Sequence, residues 1–226
     1  MNYGNCLYHI TTYIVLGLLS AIMLFGLCGC GEKHEAYVSA STTIRDNTPL
    51  CLVPSADGTT VYGNDYVSVD ASHTDEGYLM VRYQGQSTKV KLQITGPDYM
   101  TYTYDLTETD YEVFPLSAGN GMYQIGVYEN VEGSQYATVF SGEIDLQLIN
   151  TMGPFLYPNQ YVTFTSGSSV VAKGMELAAP AHDDLEVINF VYNFMIENIT
   201  YDYNKATTVQ SGYIPNPDEI LSAGTG

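Results

Sequence analysis

The sequence predicts a mainly β protein in which a β-sandwich is followed by a shorter helical segment. Three observations support this: about seven short runs of alternating apolar and polar residues lie between residues 61 and 150, turn-forming residues separate the runs, and the apolar period changes after residue 180. The chain has 226 residues, of which 45% are hydrophobic. That is enough for one packed domain and part of a second.

The predicted strands follow a period of two, which directs one face of each strand toward a core. Turn chemistry separates them, as in Gly96-Pro97-Asp98 and Ala118-Gly119-Asn120-Gly121. Seven such strands predict an immunoglobulin-like or fibronectin-III-like sandwich over residues 61–150. The expected inward-facing residues are Val67, Val69, Leu79, Val81, Tyr83, Val90, Leu92, Ile94, Met100, Tyr102, Tyr104, Leu106, Tyr123, Ile125, Val127, Ile144, Leu146 and Leu148, with a further strand from Tyr111 to Leu116.

Residues 151–180 are interpreted as a connector that leads to a helix. Asp183 and Glu186 have the N-cap and N3 spacing of a capping box. Because the helix is apolar on two sides, we expect it to need packing partners on several sides, which the polar, Gly- and Pro-rich remainder of the chain does not supply. One side carries Leu185, Ile188, Tyr192, Met195 and Ile199, and the other carries Val187, Phe190, Val191 and Phe194.

The first 29 residues are interpreted as a lipoprotein signal peptide, with Cys30 as the lipidated residue. They contain no Asp, Glu, Lys or Arg, and the apolar run Ile14 to Leu27 is shorter than the roughly 20 residues of a spanning helix. Leu27-Cys28-Gly29-Cys30 resembles a lipobox, with Leu at the third position before Cys30 and a small Gly just before it. Cys28 fits less well, because Leu27 would then occupy the small-residue position. The alternatives are an ordinary cleaved signal and a single N-terminal anchor.

Residues 30–60 are expected to form a flexible tether, since they are rich in Ser, Thr, Pro, Asp and Gly. If Cys30 is acylated, Cys51 has no disulfide partner in the mature chain. Cys51 is therefore interpreted as a small, half-buried hydrophobic residue. The net charge of -18 argues against nucleic acid as a partner.

The sequence predicts no catalytic residue, no metal site and no cofactor. The acidic group Asp70, Asp75 and Glu76 lacks the ligand spacing of a calcium loop and is interpreted as a solvated loop. Asp202 is expected to bond backbone N–H groups and fix a turn after the helix. The histidines of the mature chain are not paired with a thiol in the sequence and are interpreted as solvated surface residues; they are His34, His73 and His182.

Three stretches in the second half of the chain carry a family resemblance. They are Phe155-Leu156-Tyr157-Pro158-Asn159, the run Val191 to Tyr203 with its Asn-Ile-Thr-Tyr-Asp turn, and Gly212 to Gly226 with a Gly-Tyr-Ile-Pro loop. Together they resemble bacterial transglutaminase-like proteins, a branch of the papain-like cysteine enzymes, and in particular lipoproteins that carry this domain after a β-sandwich. In that family the loop leads into a Gly-x-Gly-x-Cys stretch, which this sequence matches only as far as Gly226.

The resemblance implies that residues 181–226 are the N-terminal fragment of an α+β transglutaminase-like domain, truncated before its catalytic Cys. The expected function is that of a surface lipoprotein on the extracytoplasmic face of a bacterial cell membrane, part of a cysteine acyltransferase or peptidase and not catalytic as given. Its expected partners are the membrane, through the lipid anchor, and a protein or a peptidoglycan-associated peptide as substrate. The alternative is a non-enzymatic surface binding or spacer protein that uses the sandwich.

Overall fold

The computed structural model describes residues 45–47, 50–210 and 212–226, all within a unit that spans residues 44–226. The predicted signal peptide, Cys30 and the first part of the predicted tether lie outside the described residues. The described strands are β1 (Val61–Gly63), β2 (Val67–Asp70), β3 (Tyr78–Tyr83), β4 (Val90–Thr95), β5 (Thr101–Leu106), β6 (Glu112–Pro115), β7 (Gly121–Glu132) and β8 (Gln135–Leu146). The described α-helices are α1 (Ser169–Ala178), α2 (Asp184–Asn198), α3 (Tyr203–Thr208) and α4 (Pro217–Ala223), with 3-10 helices at Thr74–Glu76 and Gly153–Phe155.

The strands form two antiparallel sheets, so the predicted mainly β class is confirmed. One sheet has the order β1-β2-β3-β6 and the other has the order β5-β4-β7-β8. Their facing sides meet in one apolar core, in which Leu92, Phe114 and Val127 are fully buried. The core forms because the strands turn every second residue inward. Along β4 every second residue is buried, as the period of two predicts.

All seven predicted strands are present, and two features differ from the prediction. A short edge strand, β1, precedes them and pairs with β2. The hairpin β7–β8 continues well beyond the predicted strands, to a turn at Gly133 with a positive φ of 55°. The side chain of Asn130 closes this turn by donating to the carbonyl oxygens of Gly133 and Gln135.

The predicted core face of β5 is only half right. Tyr104 and Leu106 are buried, whereas Tyr102 of this edge strand and Met100, which precedes it, are exposed. Met80 differs in the opposite direction: it is not among the residues of β3 expected to face inward, and it is buried. The outer face of this central strand is covered at Tyr78, whose ring packs against that of Tyr157.

The helix predicted after residue 181 is present as α2, with the expected cap. Asp183 Oδ1 accepts a hydrogen bond from the backbone N–H of Glu186 at 2.9 Å. Glu186 differs slightly from a capping box, because its carboxylate accepts from the backbone N–H of His182 rather than from that of the N-cap residue. The predicted connector 151–180 contains α1, which the sequence interpretation missed.

The last part of the predicted tether is attached to the folded unit rather than free. The segment Ser55–Thr60, here called the strap, lies along the edge of the first sheet. The backbone N–H of Gly58 donates to Asp70 at 2.7 Å, and Ala71 donates to the carbonyl oxygen of Thr60 at 2.8 Å. These bonds fix the point at which the chain enters the sandwich.

Within the described residues, no helix combines the length and the apolarity needed to cross a bilayer.

Replacing Phe114 by alanine should lower the free energy of unfolding by about 3–5 kcal/mol, because a fully buried ring leaves a cavity between the two sheets. Urea unfolding followed by far-ultraviolet circular dichroism measures the change. Val131→Ala is the control, since Val131 lies exposed at the outer end of β7 and its loss should stay within about 0.5 kcal/mol. Equal unfolding midpoints for the two variants would contradict this account of the core.

Candidate functional site

An apolar cleft with a volume of about 420 Å³ lies between α1, α2 and α4. Each of the three helices has an apolar side, and these sides face one another across the cleft. The cleft is lined mainly by Val170 and Leu177 of α1, Phe194 and Met195 of α2, and Ile220 and Leu221 of α4.

A polar contact holds the first turns of α1 and α4 together at one end of the cleft. Asp218 Oδ1 accepts from the backbone N–H of Val170 at 2.9 Å and from the hydroxyl of Ser169 at 3.0 Å. The bond from Val170 is the main cause of the lowered pKa of Asp218. Asn216 caps α4, accepting from the backbone N–H of Asp218 and of Glu219.

Backbone pairing joins the turn after α2 to the last described residues. Thr200 donates from its backbone N–H to Gly224 O at 2.9 Å, and Asp202 donates to Gly226 O at 3.0 Å. Asp202 also accepts from the backbone N–H of Lys205 at 2.8 Å and so caps α3. This confirms the turn-fixing role predicted for Asp202.

The side of α2 that faces away from the cleft is apolar and exposed. Leu185, Ile188 and Tyr192 are 74%, 64% and 61% exposed, and all three belong to the predicted apolar stripe. The other predicted side is half-buried at Phe190 and Phe194, so the helix is packed on one side only. The residues described supply no cover for the exposed side, although an apolar surface of this kind is unfavourable in water.

The side chains around the cleft suit apolar contact rather than catalysis. None of the described residues that line it is a cysteine, a histidine or a carboxylate. Its one charged lining residue, Lys173, places its ammonium 5.4 Å from the centre of the Phe194 ring and binds Glu176. In the described part of the chain, no group of three or more His, Cys, Asp or Glu side chains is arranged to hold a metal ion.

Of the residues singled out in the sequence, Cys30 and His34 lie outside the described residues. The lipidation of Cys30 stays a prediction. Cys51 is a half-buried free thiol, as expected. His182 is exposed and lies 2.9 Å from a carboxylate oxygen of Glu186. It is the surface residue that the sequence predicted.

His73 and Asp70 differ from the prediction of a solvated loop. Asp70 is 3% exposed, and its carboxylate accepts backbone N–H bonds from Gly58 and Ser72. The His73 side chain is 22% exposed and lies between Asp57 of the strap and Glu76 of the first 3-10 helix. Sequence reasoning missed this cluster because Asp57 is distant along the chain; the one local signal was the spacing of three between His73 and Glu76.

A second, polar groove of about 210 Å³ lies on the outer face of the sheet β5-β4-β7-β8. Two of its amide side chains bond across the strands: Gln93 donates to the hydroxyl of Thr103, and Gln124 donates to the carboxylate of Glu143. These cross-strand pairs are what a solvated sheet face requires.

No protein-family model matches the chain, and no curated protein matches it.

Met195→Lys should remove most of the fluorescence gain expected when an uncharged apolar dye such as Nile red binds the chain, because a charge in the cleft disfavours apolar binding. Met122→Lys is the matched control, since Met122 on β7 is exposed to a similar degree, 48% against 45% for Met195. The measurement is a dye titration of the full chain and both variants. An equal loss in both variants would mean that the cleft is not the dye site.

Proposed function

We propose that the chain is a surface lipoprotein whose β-sandwich carries the first part of a transglutaminase-like domain, and that the cleft and the exposed side of α2 are half of that domain's core. The observation that carries this proposal is the apolar cleft of about 420 Å³ beside a helix that is covered on one side only. A helix with two apolar sides is stable in water only when further elements pack against it. The cleft is therefore a docking surface for the remainder of the domain.

Two of the stretches that resemble the transglutaminase-like family support this reading by their position. One wall of the cleft is formed by Val191, Phe194 and Met195, which belong to the stretch Val191 to Tyr203. Another wall is formed by Pro215 and Ile220, which belong to the stretch Gly212 to Gly226. The backbone pairing of Thr200 with Thr225 joins the two stretches. The residues that carry the resemblance thus form one local structure around the cleft.

The order of the strands supports an immunoglobulin-like or fibronectin-III-like sandwich. Apart from the edge strand β1, one sheet has the order β2-β3-β6 and the other has β5-β4-β7-β8. The chain therefore crosses between the sheets after β3, after β5 and after β6. This is the Greek-key pattern of such sandwiches.

The residues of this chain have a scaffolding role in the proposed enzyme. A cysteine nucleophile attacks an amide as a thiolate, which a helix N-terminus and a neighbouring histidine stabilise. None of the described residues forms that arrangement, so the part described here binds and orients the segment that would carry it. The complete domain would transfer or hydrolyse an acyl group at an amide of a protein or of a peptidoglycan-associated peptide.

A second candidate is a non-enzymatic spacer or binding protein, favoured by the self-contained core of the sandwich. Nearly all buried residues of the described chain lie within the sandwich. The exceptions are Gly153 and Pro154 in the connector and Ala181 in the helical segment. A sandwich of this kind holds its own fold and needs no catalytic partner.

Reading the gene beyond the codon for Gly226 separates these two functions. The proposal expects an in-frame cysteine two residues further on, followed by histidine and aspartate codons. A chain that continues without these residues would contradict the enzyme and favour the spacer.

The lipid anchor is tested separately. Cys30→Ala in the full chain, expressed in a lipoprotein-processing bacterium, should abolish recovery in the detergent phase, because acylation supplies the membrane affinity. Cys28→Ala is the matched control two residues away and should partition as the unchanged protein does. Unchanged recovery of Cys30→Ala would exclude Cys30 as the lipidation site.

A further inference from the structure

One corner of the sandwich joins three parts of the chain through polar side chains. The 3-10 helix Thr74–Glu76 forms the corner, the strap reaches it from one side, and the segment Gly153–Tyr157 reaches it from the other. Gly77 has a φ of 97°, and a side chain there would clash with Pro154. The corner is therefore closely packed.

His73 lies at the centre of this corner with a carboxylate at each ring nitrogen. Its Nε2 is 3.0 Å from Asp57 Oδ2 and 3.3 Å from the hydroxyl of Ser55. Its Nδ1 is 3.5 Å from Glu76 Oε1. A neutral imidazole carries one N–H, so only the protonated ring can donate toward both carboxylates.

The same cluster extends to both neighbouring segments. Glu76 accepts a hydrogen bond from the hydroxyl of Tyr157 through its second oxygen. The His73 ring stacks on Tyr78, with ring centres 5.5 Å apart, and the Tyr78 hydroxyl accepts from the backbone N–H of Ser55. Beyond the ring, the strap is held by polar bonds to Asp70 and Ser72.

We propose that His73 is a pH-sensitive clamp, which fastens the strap to the corner of the sandwich when its imidazole is protonated and holds the strap less tightly when the proton leaves. The neutral ring has one N–H and can donate to only one of the two carboxylates, so the charge attraction to Asp57 is lost and the remaining ring nitrogen presents a lone pair to a carboxylate. The titratable groups facing the ring are Asp57 from the strap, Glu76 from the 3-10 helix and Tyr78 from β3; Tyr157 acts through Glu76.

The direction of the pH dependence follows from the surroundings of the ring. Burial lowers the pKa of His73, but the hydrogen bond and charge of Asp57, together with Glu76, outweigh it and raise the pKa above the ordinary 6.5. A histidine with a raised pKa stabilises the folded contact fully below its ordinary pKa. That stabilisation is lost as the pH rises through the higher value of the folded protein. The clamp is thus closed in mildly acidic conditions and opens toward alkaline pH.

Opening of the strap lengthens the free chain only between β1 and residues 45–47, because Arg45 bonds to Asp184 and Asn47 bonds to the carbonyl oxygens of Ala179 and Ala181. The clamp does not rest on the proposed lipid anchor, so the two proposals can fail separately.

Hydrogen exchange of the full chain between about pH 5.5 and pH 8.5 tests the clamp. After correction for chemical exchange, the protection of the Gly58, Thr59 and Thr60 amides should fall as the pH rises. In His73→Gln it should be low and independent of pH, and in the matched control His182→Gln it should follow the unchanged protein. Protection of the strap that is independent of pH in the unchanged protein, or a pH dependence retained in His73→Gln, would overturn the proposal.

A measurement on the unchanged protein guards against misfolding of the variant. In a nuclear magnetic resonance titration, the ring proton of His73 should titrate above the ordinary histidine pKa of 6.5. A midpoint at or below 6.5 would overturn the proposal.

Discussion

Leu92, Phe114 and Val127 lie fully buried between the two sheets, and the strap and the connector are attached to the layer that they hold together. Because strands on both sides contribute to this core, the edges of the sheets are fixed in space without further support. A rigid corner at Thr74–Glu76 can then receive a strap from one direction and a connector from the other. Neither attachment needs a core of its own.

The helical segment has the opposite energetics. Three of its four described helices have side-chain caps, Asp183, Asp202 and Asn216, yet caps contribute only about 1 kcal/mol each and do not replace apolar burial. Of residues 169–210 and 212–226, only Ala181 is buried. Local signals therefore define these helices, while the packing that would stabilise them is incomplete within the described residues. This imbalance is the physical basis for treating the cleft as one half of a core.

The sandwich was predictable from the sequence because a strand that is buried on one face shows its period of two directly. The outer half of the hairpin β7–β8 was not predictable from the sequence. Its residues pair with each other and are exposed, so these strands do not need alternating apolar residues. Helix α1 was missed for a related reason. It lies in a region rich in Gly and Ser, and its apolar residues face the cleft, which depends on two later helices.

The corner around His73 could not be predicted for a different reason, because it depends on pairing between distant segments. Asp57 and His73 meet only after β1 has paired with β2 and has brought the strap alongside the 3-10 helix. The strap is attached by polar and titratable side chains, whereas the core consists of apolar side chains. Only the attachment of the strap can therefore respond to pH. Loss of a proton from His73 weakens the bonds of the strap and leaves the burial of Leu92 and Phe114 unchanged. The fold can therefore loosen the strap at this corner while the sandwich remains intact.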